Sequence, residues 1–276
     1  KSVLRISNLH KINIRYCRIL VIVNKNLSKS PFTAMSYFMK IDIPPSQSPT
    51  GPLPKGHPPV KQQKTGVLIL NLGTPDGTDY WSLRKYLKEF LSDTRVIDYP
   101  RYLWWPLLNF IILTKRPFTS GQAYTKIWNK ERDESPLKTY TRAQAERLQA
   151  GLADKNVIVE WGMRYGNPST AAGLDSLIAQ GCQRILLFAL YPQYAAPTTA
   201  TAYDKAFDYL KILNWQPAVR TAPTYHDEDA YIEALAHSVR ESIAAHGKEP
   251  EVVVASFHGL PKRYLMEGDP YHCLCA

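Results

Sequence analysis

From residue 66 onward, short apolar runs alternate with longer stretches in which apolar residues return every three or four positions, the pattern of strands interleaved with helices. The run 66–72 predicts a strand that stops at Gly73-Thr74-Pro75. Thr78 then predicts the cap of a helix whose Leu83, Leu87, Phe90 and Leu91 share one face. Thr141-Arg142-Ala143-Gln144 reads as a capping box opening a helix that runs to Gly151. Strands are predicted over 157–161, 184–190 and 218–222, with helices over 169–180 and 199–213. A longer helix capped by Asp227 carries Ile232, Leu235, Ala236, Val239 and Ile243 on one stripe. The β-branched run 252–256 predicts a last, buried parallel strand, cut short by Gly259 and Pro261.

This order predicts an α/β fold of right-handed βαβ units with mainly parallel sheets covered on both faces. No Gly-x-Gly-x-x-Gly follows the first strand and no phosphate-binding loop occurs, so the usual nucleotide-binding devices are missing. Open α/β sheets hold ligands at the carboxyl ends of their strands. Here those ends deliver Asn71 to Pro75, Tyr191-Pro192-Gln193-Tyr194, Pro223-Thr224-Tyr225-His226, and His258. An aromatic lining with few carboxylates suits a large planar apolar ligand, although any single tyrosine equally suits a roof over the sheet edge. An imidazole at such a place can accept a proton or bind a metal. The plain alternative for His258 is a residue that orders its turn.

The segment 102–113, Tyr-Leu-Trp-Trp-Pro-Leu-Leu-Asn-Phe-Ile-Ile-Leu, is too short to span a bilayer and more apolar than a loop requires. It reads equally as core or as an exposed lip whose tryptophans and trailing Lys115 and Arg116 touch a membrane.

Composition changes this picture in one respect. The net charge of +10 hints at a polyanion partner until it is mapped. Residues 1–64 hold eleven Lys/Arg against one acid, whereas 65–276 hold 23 of each sign. The basicity therefore belongs to a tail, and the folded part offers no case for nucleic acid. That tail begins with Lys1, carries seven prolines between 44 and 59, and is expected to be a disordered arm outside the core. An over-extended translation with Met35 or Met39 as the start fits it better than a presequence. The four cysteines are scattered, which points to a reducing compartment; Cys182 is expected to be buried, and His272, Cys273 and Cys275 make at most half a metal site.

Together these residues resemble the ferrochelatases, which insert ferrous iron into a porphyrin. The resemblance runs from about Thr65 to the C-terminal residue and is carried by six motifs in order. They are Asn71-Leu72-Gly73-Thr74-Pro75-Asp76, Glu89-Phe90-Leu91-Ser92-Asp93, Glu134-Ser135-Pro136-Leu137, Met163-Arg164-Tyr165-Gly166-Asn167-Pro168, Tyr191 to Tyr194, and Ser256-Phe257-His258-Gly259-Leu260-Pro261 with Gly268-Asp269-Pro270-Tyr271. The texture is most like the alphaproteobacterial, protoporphyrin-using branch.

The resemblance implies two Rossmann-like domains gripping the porphyrin between them. A first domain would cover 65–190, with the active-site lip at 102–117, and a partial second domain would cover 191–276. His258 matches the family's active-site histidine, a ligand for the incoming iron or the acceptor of pyrrole protons. Arg116, Tyr124 and Ser135 match positions that contact the macrocycle or its propionates. Tyr191 and Tyr203 match other porphyrin-side positions, and His226 a second histidine of the cleft. Leu72 stands where the coproporphyrin-using branch has an iron-ligating tyrosine, which favours protoporphyrin IX. The glutamate that faces the histidine in the family has no counterpart here, so the chain as given is expected to be inactive alone. No cofactor beyond substrate Fe2+ is implied. An iron–sulfur cluster is not expected, because Ala196 replaces one of its cysteines. A cytoplasmic enzyme with peripheral membrane contact through 102–113 and no nucleic-acid partner follows. The rivals are a cobalt or sirohydrochlorin chelatase and a non-catalytic porphyrin or haem carrier.

Overall fold

The computed structural model describes residues 55–56, 64–247, 254 and 256–275. The basic, proline-rich tail therefore lies almost wholly outside the described residues, as do Val252, Val253 and Ala255 of the expected last strand. Val254 and Ser256, which flank Ala255, carry no strand, and Val254 is exposed.

Four strands form one parallel sheet: β1 (Lys64–Thr74), β2 (Val157–Gly166), β3 (Cys182–Ala189) and β4 (Ala218–Thr221). Their order is β2-β1-β3-β4. The helices are α1 (Tyr80–Leu91), α2 (Arg101–Pro106), α3 (Leu113–Ile127), α4 (Pro136–Gly151), α5 (Thr170–Ala179), α6 (Thr201–Lys211), α7 (Asp229–His246), α8 (Lys262–Met266) and α9 (Tyr271–Cys275). Wide π turns at Leu107–Ile112 and Ala196–Ala200 lead into α3 and α6. The α/β class with a parallel sheet is thus as the sequence predicts. Among the described residues no strand follows β4.

β1 is apolar on both faces because both are covered. Leu68 and Leu70 pack with Leu174, Leu177 and Leu187, while Val67 and Ile69 pack with Ala145 and Val159. Each fully buried leucine contributes roughly 2 kcal/mol. Cys182 belongs to the first of these clusters, and burial pushes its thiol pKa up.

At the carboxyl end of β1 the chain leaves through Gly73, whose φ of +108° is closed to other residues. A Cβ there would meet the Tyr165 carbonyl oxygen at 1.8 Å. The contact lets β1 and β2 stay neighbours up to their last residues, with Thr74 opposite Gly166. The crossover after β1 runs to β2 on one side and the crossover after β3 to β4 on the other, so the carboxyl ends of β1 and β3 flank a topological switch point.

Several helix boundaries differ from the sequence pattern. Asp79, not Thr78, caps α1 by accepting from the amides of Trp81 and Ser82 at 2.9 and 3.0 Å. α4 starts at Pro136, capped by Ser135, so Thr141 lies inside the helix and bonds to the Leu137 carbonyl. Ser-Pro is the stronger start, since proline at the first helical position gives up no needed N–H. Strand β2 runs on to Gly166 rather than stopping at Trp161. α7 follows Glu228 without a side-chain cap, and its predicted apolar stripe is uncovered: Ile232, Leu235 and Val239 are exposed.

Candidate active site

The 102–113 segment is helical, with one side packed in the core and the other exposed. α2, the π turn and the start of α3 form one continuous helical rod. Leu108 and Leu113 are fully buried against Tyr86, Leu87, Leu91 and Tyr165. Tyr102 and Phe110 are exposed at 77% and 78%. Leu72 packs, half-buried, into the same cluster, which places it under this rod. The rod is fastened to α1 by hydrogen bonds. Trp104 Nε1 donates to the Leu91 carbonyl at 2.8 Å, and Arg84 Nη1 and the Tyr80 hydroxyl donate to the Leu113 carbonyl at 2.6 and 3.1 Å. That carbonyl is free because Pro117, four residues on, has no N–H to give it.

Farther along α3, Arg116 is exposed and Tyr124 half-buried. Burial raises the Tyr124 pKa against the hydroxyls of Tyr86 and Thr74, which lower it. Ser135 is only 2% exposed, and its hydroxyl accepts from the Lys138 amide at 3.3 Å as the cap of α4. In this arrangement it orders the turn that opens α4.

Tyr191 and Tyr203 come together at the ends of β3 and β4. With Tyr194, Thr199, Ala222 and Thr224 they line a cavity of about 200 Å³. The Tyr203 hydroxyl donates to the Ala222 carbonyl at 3.1 Å. Among the described residues the hydroxyls of Tyr191 and Thr199 have no hydrogen-bond partner, and burial drives the Tyr191 pKa strongly up. His226 is mostly buried, its Nδ1 3.5 Å from the Asp227 carboxylate but without hydrogen-bond geometry to it.

His258 stands in a segment without helix or strand rather than at the end of a described strand. It is exposed, and its Nδ1 lies 2.8 Å from the Gly259 carbonyl. The ring borders an open cavity of about 500 Å³ with Phe257, Leu260, Leu265, Tyr271, His272 and Cys275. The Tyr271 hydroxyl sits beside the Cys275 thiol and the His258 backbone; burial and then the thiol raise its pKa. The structure therefore brings Tyr191 and Tyr203 together and Leu72 beneath the rod, while His258 lines a separate cavity. Among the described residues no three His, Cys, Asp or Glu side chains group closely enough to hold a metal ion.

One group escaped the sequence reading. Arg164, on β2, donates from Nη2 to the Asp93 carboxylate and from Nε to the Thr201 hydroxyl, the latter at 2.6 Å. The Thr201 hydroxyl also donates to this carboxylate, and the Tyr165 hydroxyl does so at 2.8 Å. Glu89 accepts from the Gly166 amide at 3.1 Å. Burial opposes ionisation of Asp93, but the donors from Thr201, the Arg95 amide and Tyr165, with the Arg164 charge, hold its carboxyl below the usual range. The signal was present: an arginine in a buried strand demands a carboxylate.

The loop after this knot meets the segment that follows His258. Arg263 lies 3.1 Å from the Asp98 carboxylate, and Asp269 accepts from the Ala196 amide at 2.7 Å and the Tyr271 amide at 2.9 Å. The Gly-Asp-Pro-Tyr motif thus ties α9 to the π turn before α6.

The sequence profile of the ferrochelatases matches residues 64–276, which includes every strand and the His258 cavity. The chain belongs to the ferrochelatase family. It is 58% identical over 224 residues to the ferrochelatase of Agrobacterium fabrum (strain C58), covering 81% of this chain and 65% of the relative. It is 58% identical over 226 residues to that of Rhodobacter capsulatus, covering 80% and 64%. The Chelativorans sp. (strain BNC1) ferrochelatase is 57% identical over 223 residues, covering 80% and 63%. The chain spans just under two thirds of the length of these curated ferrochelatases.

Proposed function

We propose that the protein inserts ferrous iron into protoporphyrin IX to form protohaem. The carrying observation is an exposed imidazole, His258, beside an open cavity in a chain whose ferrochelatase relatives are 55–58% identical. The reaction exchanges two pyrrole N–H protons for one divalent cation. A neutral imidazole serves it either as a ligand to the incoming iron or as the proton acceptor. Around the macrocycle we assign Leu72, Tyr124, Tyr191 and Tyr203 to its faces and edges, His226 to the cleft, and the exposed Arg116 to a propionate. A guanidinium fork suits that carboxylate. Leucine at 72 offers iron no ligand, which supports protoporphyrin over coproporphyrin. The part of Ser135 is to hold the start of α4.

The domain reading is 1–64 outside the core, 65–190 as a first domain and 191–276 as part of a second. No resident iron–sulfur cluster and no nucleic-acid partner belong to this reading. Nor does a membrane span: among the described residues no helix is long and apolar enough to cross a bilayer. The proposed setting is cytoplasmic, with the exposed apolar rod at 102–113 resting on a membrane surface that carries the poorly soluble substrate.

The test is iron insertion by the intact protein, followed by loss of porphyrin fluorescence. His258→Ala is expected to abolish turnover while porphyrin still binds. Full function in that variant would indicate a carrier, and preferential cobalt insertion into sirohydrochlorin would indicate the other chelatase class.

A further inference from the structure

His258 carries the proposed chemistry, yet neither helix nor strand holds it. Its own side chain settles part of the geometry. The Gly259 carbonyl, 2.8 Å from Nδ1, can only accept. In the neutral ring Nδ1 therefore carries the proton, and Nε2 keeps its lone pair for a metal or a pyrrole proton. That contact lasts only while the backbone of the turn is fixed. An exposed ring on a loose turn would forfeit the alignment that makes a base or a ligand effective.

Three ties bind the segment after His258 to the rest of the fold, and two are weak. Arg263 reaches the Asp98 carboxylate at 3.1 Å, but with the two side chains 49% and 56% exposed such an ion pair contributes little. The Tyr264 hydroxyl reaches the Val96 carbonyl only at 3.5 Å. Asp269 makes the third. One of its carboxylate oxygens accepts from the Ala196 amide at 2.7 Å, the other from the Tyr271 amide at 2.9 Å. Bonds from an N–H to a charged oxygen are about twice as strong as neutral ones. They also join two separate elements. Ala196 opens the π turn that leads into α6, and Tyr271 is the first residue of α9.

From α9 one more contact reaches the histidine. Tyr271 lines the same cavity as His258, with Asp269 on its wall. Burial and then the Cys275 thiol raise the pKa of the Tyr271 hydroxyl, while the His258 backbone lowers it, as an N–H donor does. The path is continuous from the π turn through Asp269 and Tyr271 to the backbone of His258.

We propose that Asp269 and Tyr271 are positioning residues for the His258 imidazole, fixing its turn, and with it Nε2, relative to the start of α6. The inference rests on the chelatase reading.

The experiment has two arms, both on the intact protein. Nitrogen NMR of the neutral His258 ring, assigned by its loss in His258→Ala, reads the tautomer without turnover. The parent is expected to hold the Nδ1–H form, and Asp269→Asn and Tyr271→Phe to show a mixture of both forms. Asn keeps the size of Asp but leaves an acceptor for only one of the two amides, and Phe keeps the ring without its oxygen. In the second arm, iron insertion by each variant should lose roughly tenfold in kcat with the porphyrin KM changed less than about twofold. Arg263→Ala, which removes only the exposed ion pair, is expected to match the parent in both arms. Should Asp269→Asn fail to fold, Tyr271→Phe decides alone. An unchanged tautomer in the variants, a loss confined to KM, or an equal loss in Arg263→Ala would each overturn the proposal. A parent that fails to metallate porphyrin while its variants still mix the tautomers would sink only the chelatase reading.

Discussion

Asp93 accepts hydrogen bonds from Arg164, Tyr165 and Thr201, which reach it from the end of β2 and the start of α6. Its side chain is 6% exposed and that of Arg164 12%, so removing either charge strands the other in a poor solvent. Asp93→Asn is expected to lower stability by about 3 kcal/mol at neutral pH, measured by urea unfolding. The pH dependence has a definite sign. The folded pKa of Asp93 lies below its unfolded value of about 3.9, so its contribution is complete above that pH. It is lost as pH falls further, through the folded pKa. The Asn variant should therefore lose less stability than the parent on acidification below about pH 4. At this scale the sequence displayed Arg164 in an apolar strand, but its partner lies 71 residues upstream. Local pattern carries no information about such a pairing. His258 was legible because an imidazole beside Gly and Pro announces a turn with chemistry; the cavity next to it was not, since its walls come from two later helices.

Periodicity reports faces well and ends poorly, and the elements divide along that line. β1, α5 and β3 fall where the apolar pattern puts them, because both sheet faces are buried. α4 does not begin at its capping box, because Ser135-Pro136 supplies an earlier start. Ser135→Ala is expected to cost about 1 kcal/mol in a thermal or urea melt, the loss of one helix cap. No rule of spacing foretold the two π turns, which follow from proline and from tertiary contacts. α7 shows the converse: a correct stripe without a partner. With Ile232, Leu235 and Val239 exposed, its amides are expected to exchange with deuterium far faster than those of β1 in the 276-residue chain. Equal protection would mean that the stripe is covered.

For the molecule as a whole, the division of charge was readable from composition, and the sheet order was not. Alternation of strands and helices fixes a parallel sheet but not which strands adjoin. β2-β1-β3-β4 emerges only from the pairing, and with it the crevice between β1 and β3. Because residues 65–276 are balanced in charge, removing residues 1–63 is expected to leave porphyrin binding unchanged in a fluorescence titration. A loss of binding would return the basic tail to the functional account.

α1 grips something at each end. Tyr80 and Arg84, near its start, hold the Leu113 carbonyl of the rod, and Glu89 and Asp93, at and beyond its finish, hold the end of β2. A twelve-residue helix is stiff over that length, so it works as a lever arm between the two grips. A tilt of the aromatic tip has to break the bonds to Leu113 and from Trp104 to Leu91, or carry α1 along and with it the carboxylates that hold Arg164.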